Sequence, residues 1–180
     1  MRSKITERAA IAAATLAFAL FAGGPALADG GGSDRGNSTT CPRGEVYDAR
    51  SMQCVKQGSG VLPDKALAEY AYALAKAERY DEALDVLNLL QNRNTPEALN
   101  YRGYATRKLG RVDEGIGYYR KSVALNPRYA QVREYLGEAY VIKGDMARAK
   151  AQLRAIKRIC GTECEEYEDL AKAIADRTKT

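Results

Sequence analysis

The 180-residue sequence has no histidine and no tryptophan, and only two phenylalanines and five prolines. Without histidine it lacks the commonest general base, the usual zinc and copper ligand, and the side chain that changes charge near neutral pH. Serine–histidine and cysteine–histidine nucleophile pairs are therefore excluded within the chain. Beyond the first 28 residues no hydrophobic run approaches the ~20 residues that a membrane-spanning helix needs. What remains is ordinary for a globular protein: 28% charged and 46% hydrophobic residues, which argues against wholesale disorder. At about 150 residues per domain, the length fits one domain with appendages. The composition leans towards binding and away from catalysis.

Residues 1–28 read as a secretory signal peptide. Arg2, Lys4 and Arg8 form a basic start, Ala9 to Ala22 is apolar apart from Thr15, and Ala26-Leu27-Ala28 supplies the small-x-small cleavage pattern. Loss of this leader removes three basic residues and Glu7, so the net charge falls from +5 to +3. Export to the periplasm, or beyond the cell, is the expected destination. Four cysteines suit that oxidising setting and allow three pairings. Sequence locality favours Cys41–Cys54 and Cys160–Cys164, each closing a short loop.

Residues 29–40, DGGGSDRGNSTT, offer no apolar side chain and are expected to form a flexible Gly/Ser-rich linker. Residues 41–57 form a small disulfide-closed knob: Val46 and Tyr47 favour a strand, and Asp48 to Ser51 suit a chain reversal. From Asp64 the pattern becomes helical and repeats itself every 34 residues. Gly103 aligns with Gly137, Gly110 with Gly144, and Tyr119 with Leu153. A repeat of this length built from helix–turn–helix units marks a helical solenoid. The helix pairs are placed at 64–77 with 80–92, 96–109 with 112–125, and 129–143 with 146–159.

These residues resemble tetratricopeptide repeats, of the exported bacterial type, over 64–158, divided as 64–95, 96–129 and 130–158. The middle repeat carries the likeness best, through Leu99, Gly103, Gly110, Tyr119, Ser122 and Asn126-Pro127. The third follows through Leu136-Gly137, Tyr140, Gly144-Asp145 and Ala149, and the first through Ala71, Tyr80-Asp81-Glu82-Ala83, Leu87 and Leu90. Gly115 departs from the family, which prefers alanine there, and Gly117 adds a second glycine to the same helix. The knob's C-P-x-G-x-V-Y-D pattern resembles knobs on exported bacterial repeat proteins. Residues 160–178 fit a C-terminal capping helix: Cys164, Tyr167, Leu170, Ala171 and Ile174 form one apolar stripe. Five acidic residues between Glu163 and Asp169 favour its N-terminal dipole. The expected fold is thus all-α, with three repeats, a capping helix and a disulfide-closed N-terminal hairpin.

The resemblance implies a protein–protein interaction module whose concave groove is lined by the first helix of each repeat. Carried over by position, the groove comprises Ala68, Tyr72 and Lys76 in the first repeat, then Asn100, Tyr104 and Arg107 in the second. Glu134, Glu138 and Val141 follow in the third. Exposed tyrosines with arginine suit a binding hot spot. The chaperone-binding members clamp a terminal carboxylate with lysine, asparagine and arginine; this chain has Ala68, Tyr72, Tyr101, Gln131 and Tyr135 there, so the clamp is missing. Residues 96–158 carry 14 basic against 6 acidic side chains, while 29–95 and 160–180 are net acidic. That basic middle suits an acidic protein or peptide partner. Nucleic acid is disfavoured by export, and no enzyme activity, cofactor or metal is expected. The alternative is an envelope thiol-redox or metal-handling accessory using Cys160 and Cys164. Against it stand the three-residue spacing and the missing histidine. A structural subunit of a larger envelope assembly is a third reading.

Overall fold

In the computed structural model, residues 40–58 and 62–179 are described; the leader and residues 29–39 of the linker lie outside them. The described residues fall in one unit, Gly36–Thr180. Strands β1 (Glu45–Asp48) and β2 (Gln53–Lys56) pair antiparallel, with Tyr47 opposite Cys54. A turn closes them, in which the Asp48 carboxylate accepts from the Arg50 amide and the Ser51 hydroxyl at 3.0 Å each. The Cys41–Cys54 disulfide staples the hairpin. The knob has too few residues for a core of its own and borrows one: Cys41 and Val46 are buried in the core that α1 (Asp64–Lys76) helps to form. The Cys41 backbone is held from both sides, its amide donating to Tyr70 Oη (2.8 Å) and its carbonyl accepting from Arg79 Nη1 (2.7 Å).

Six further helices follow: α2 (Tyr80–Asn88), α3 (Pro96–Lys108), α4 (Val112–Leu125), α5 (Ala130–Ile142), α6 (Met146–Cys160) and α7 (Glu165–Arg177). They pack as α1 with α2, α3 with α4 and α5 with α6, and each pair also meets the next. Thr95 caps α3, its hydroxyl accepting from the Ala98 amide (3.1 Å), with Pro96 in the first turn, where a missing N–H costs nothing. Asp145 caps α6 in the same way through the Arg148 amide (2.9 Å). Two expected boundaries move. Helix α2 stops at Asn88, one turn short of residue 92, because the first repeat is shorter and the Asp64 carboxylate captures the Gln91 and Asn92 amides (2.9 and 2.7 Å). Cys160 ends α6, so the capping helix begins at Glu165 and the Cys160–Cys164 disulfide spans the bend between them.

Close helix packing rests on three glycines. A Cβ on Gly103 would lie 2.6 Å from the Tyr119 ring, which is fully buried. One on Gly115 would lie 2.9 Å from the Gly103 carbonyl, so α3 and α4 pass backbone to backbone. The glycine that departs from the family pattern therefore admits this contact, whereas Gly117 faces open space. Gly137, the counterpart of Gly103, does not admit the second helix of its own pair in the same way. It instead receives Leu170 of α7. The middle pair is closed within itself; the third is closed by the cap.

The turn inside each pair shows how far packing overrides local preference. Glu78, Gly110 and Gly144 hold φ of 62°, 85° and 75°. All three turns share one hydrogen-bond pattern, such as Arg79 N to Leu74 O, Arg111 N to Thr106 O and Asp145 N to Tyr140 O. Glu78 adopts the left-handed conformation without the glycine that makes it easy.

Candidate functional site

Helices α1, α3 and α5 pack in succession, and α7 packs on α5. On α1, Ala68, Tyr72 and Lys76 are one turn apart on a single face. Tyr72, the middle one, reaches across the second repeat: its hydroxyl lies 2.7 Å from that of Tyr135 on α5, and Gln131 Nε2 donates to it at 3.4 Å. The Tyr72 ring stacks on Tyr101 at 4.5 Å and meets Tyr104 edge-on at 6.0 Å, while Tyr104 tilts against Tyr135 at 5.0 Å. This tyrosine bridge divides the face into two depressions. The one on the Ala68 side, about 350 Å³, is bordered by Ala68, Glu69 and Tyr101. The one on the Lys76 side, also about 350 Å³, is polar.

The polar cleft has walls of opposite charge. Helices α1 and α3 contribute Lys76, Arg107 and Lys108; α5 and α7 contribute Glu134, Glu138, Glu165, Glu166 and Asp169. Arg107 is buried and well satisfied: Nη2 donates to Glu138 Oε2 at 2.8 Å and Nε to Tyr119 Oη at 3.2 Å. Its guanidinium also lies 5.6 Å from the Tyr104 ring and 5.8 Å from that of Tyr135. Burial drives the Tyr119 and Tyr135 hydroxyls well above the ordinary tyrosine range, so both act as neutral partners. Glu134 is the opposite case. As a residue it is only 6% exposed, its carboxyl opens onto the cleft, and no hydrogen bond to it is made among the described residues. Burial first, then repulsion from Glu138, Asp169, Glu166 and Glu165, pushes its pKa up to about 8.

Of the nine groove residues expected from sequence, Tyr72, Lys76, Tyr104, Arg107, Glu134 and Glu138 line the polar cleft, and Ala68 lines the other depression. Asn100 and Val141 border neither and are buried. The Asn100 amide donates to Tyr129 Oη and Gln131 Oε1, while its own Oδ1 has no partner among the described residues. The expectation of an exposed tyrosine–arginine patch needs correction: Tyr104 and Arg107 are 8% and 7% exposed, and the Arg107 guanidinium is taken up by Glu138 and Tyr119. Sequence reasoning missed Lys108 and all three α7 carboxylates, and named Gln131 and Tyr135 only as positions where the clamp is missing. The α7 residues carried a usable signal, since one more 34-residue step places Glu165 on Gln131 and Asp169 on Tyr135. Helix α7 thus occupies the position of a fourth first helix.

Cys160, Cys164 and Glu166 bring their sulfur and carboxylate atoms within 4.8 Å of one another. The two sulfurs are bonded to each other, and a disulfide provides no thiolate to a metal.

Scanned against family models the sequence matches none, and no curated protein matches it. Solved structures do. The Yersinia enterocolitica type III secretion translocator chaperone SycD superposes with a TM-score of 0.54 at 16% identity, over 64% of this chain and 89% of that one. The first TPR domain of human RPAP3 superposes at 0.53 and 19% identity, over 65% and 96%. The fold is that of tetratricopeptide repeats. MamA is a third similar structure, at 0.52 and 15% identity over 64% and 77%. In this tetratricopeptide array the first helices and α7 form the face described above. Among the described residues no helix is long and apolar enough to cross a membrane.

Proposed function

We propose that this chain is a protein–protein interaction module of the cell envelope, exported by its leader, which holds a peptide or protein segment in the cleft between α1, α3, α5 and α7. The observation that carries this reading is the cleft itself: about 350 Å³, floored by tyrosines and walled by charges, on the face where the first helices converge. Tyrosine gives contact area at little entropic cost, and flanking charges give orientation. The work is docking without bond making. A photo-crosslinker placed at Lys108, on the cleft rim, should capture a defined envelope partner, while one at Lys121 on α4 should not. Equal capture from both positions would sink the groove assignment. Export is tested separately, by N-terminal sequencing of the protein recovered from the periplasm, with Asp29 as the expected first residue.

A further inference from the structure

Within that cleft, the α5–α7 wall holds acidic groups that the chain does not balance. Glu138 is neutralised by Arg107. Among the described residues, Glu134, Glu165, Glu166 and Asp169 have no basic group within 4.0 Å. Three are accessible to solvent, but Glu134 is more than nine-tenths buried, borders the cleft and lacks a hydrogen-bond partner. Its carboxyl meets solvent only through the cleft, so a donor entering there finds a poorly solvated acceptor. A metal ion does not fit, since no three of these carboxylates come within 4.8 Å of one another. Lys76 and Lys108, on the facing wall, likewise have no carboxylate within ion-pair range among the described residues; Lys108 lies only over the Tyr104 ring, at 5.5 Å. The cleft is therefore a dipole, positive at α1 and α3 and negative at α5 and α7.

We propose that the α5–α7 wall is the seat for an arginine or lysine side chain of the bound segment, donated to Glu134 and ringed by Glu165, Glu166 and Asp169. Lys76 and Lys108 take an acidic residue of the same segment. The bound sequence is thus of mixed charge, and its order fixes the direction in which it lies. This rests on the groove reading above and specifies its occupant. A cation with several donors suits the site, because it spans carboxylates too far apart for one metal ion. The raised pKa of Glu134 adds a signature: the free protein holds a proton there at neutral pH, and seating a cation expels it.

The test uses random dodecapeptides displayed on phage and selected on the purified full chain. The expected outcome is enrichment of peptides carrying arginine or lysine together with aspartate or glutamate. Their affinity should fall roughly tenfold or more in the Glu165→Gln, Glu166→Gln, Asp169→Asn variant, whose helix content is checked by circular dichroism. Titration calorimetry of a selected peptide in two buffers of different ionisation heat should show proton release that Glu134→Gln abolishes. Selection of neutral or purely acidic peptides, or of none, overturns the cation seat. If such peptides still weaken with Lys76→Ala and Lys108→Ala, the groove reading survives without it. Basic peptides indifferent to every cleft substitution overturn both. A dimer seen by sedimentation and lost in the α7 variant would make a second copy the occupant and overturn the peptide assignment.

Discussion

The second and third repeats place different chemistry at equivalent positions 34 residues apart, and the difference explains the cleft. In the second, Gly103 receives Tyr119 from its own pair, Asn100 is tied to Tyr129 and Gln131, and Arg107 is buried between Tyr119 and Glu138. In the third, Gly137 receives Leu170 from the cap, Glu134 has no hydrogen-bond partner among the described residues, and Val141 stands in place of Arg107. One repeat satisfies its polar groups internally. The other is closed by apolar contact with α7 and leaves a carboxyl facing the cleft. A repeat that spends its glycine notch on a capping helix thereby adds that helix to the binding face.

The strongest way to break the contrast is Leu170→Ala. Leu170 is fully buried in the Gly137 notch, so its truncation should cost about 2–5 kcal/mol, measured by urea unfolding. It should also weaken ligand binding by loosening the acidic wall. A loss below about 1 kcal/mol would mean that the third pair is closed without α7.

Next comes Arg107→Ala, which strands Tyr119 and Glu138 together. Because Glu138 is part-exposed, the expected loss is about 1–3 kcal/mol. Val141→Arg tests the converse; without a tyrosine–glutamate pair to meet it, the new guanidinium should destabilise the third repeat.

Two glycines of α4 sharpen the comparison at smaller scale. Gly115→Ala should destabilise, by about 1–2 kcal/mol, because its Cβ meets the α3 backbone. Gly117→Ala should stabilise by about 0.5–1 kcal/mol, since it gains helix propensity in open space. Matching signs for the two would refute the close α3–α4 crossing.

Glu134→Gln should change least near pH 6, where the native carboxyl is already protonated. Its pKa is raised in the fold, so the native state binds more protons than the unfolded state between about 4.5 and about 8. Stability should therefore fall as pH rises through that window. The titratable groups sharing the cleft with it are Tyr135 and Glu138 on its own helix, Arg107, Lys108 and Tyr104 on α3, Tyr72 and Lys76 on α1, and Glu165, Glu166 and Asp169 on α7. In the Gln variant this decline should vanish, read as a flat melting temperature over the window. Asp48 and Asp145 behave oppositely: backbone amides of Arg50 and Arg148 hold their carboxyls below the ordinary range, so their contribution is lost only as pH falls through the acid range.

The repeats, their helix pairs and both disulfides were legible in the sequence, because period, punctuation and locality are encoded along the chain. The end of α2 was not, since it depends on Asp64 reaching amides 27 and 28 residues away. Burial of Tyr104 and Arg107 was equally hidden. Amphipathic side chains suit a rim or an interior, and only the neighbouring Glu138 and Tyr119 decide between them. The α7 acids could be read as dipole partners or as groove residues, and packing makes them both. Glu78 carried no signal at all: nothing local asks for a left-handed residue there, yet the stack imposes the same turn as at Gly110 and Gly144.

The tyrosine bridge bears on how the array comes apart. Repeat stacks ordinarily couple only adjacent units, so their ends fray one unit at a time. The hydroxyl contact between Tyr72 and Tyr135 joins the first unit to the third. Opening either end then requires breaking a link that skips the middle, which makes melting more nearly all-or-none. Occupancy of the adjoining cleft would tighten the same link, so a bound segment would protect the amides of both end repeats from exchange together.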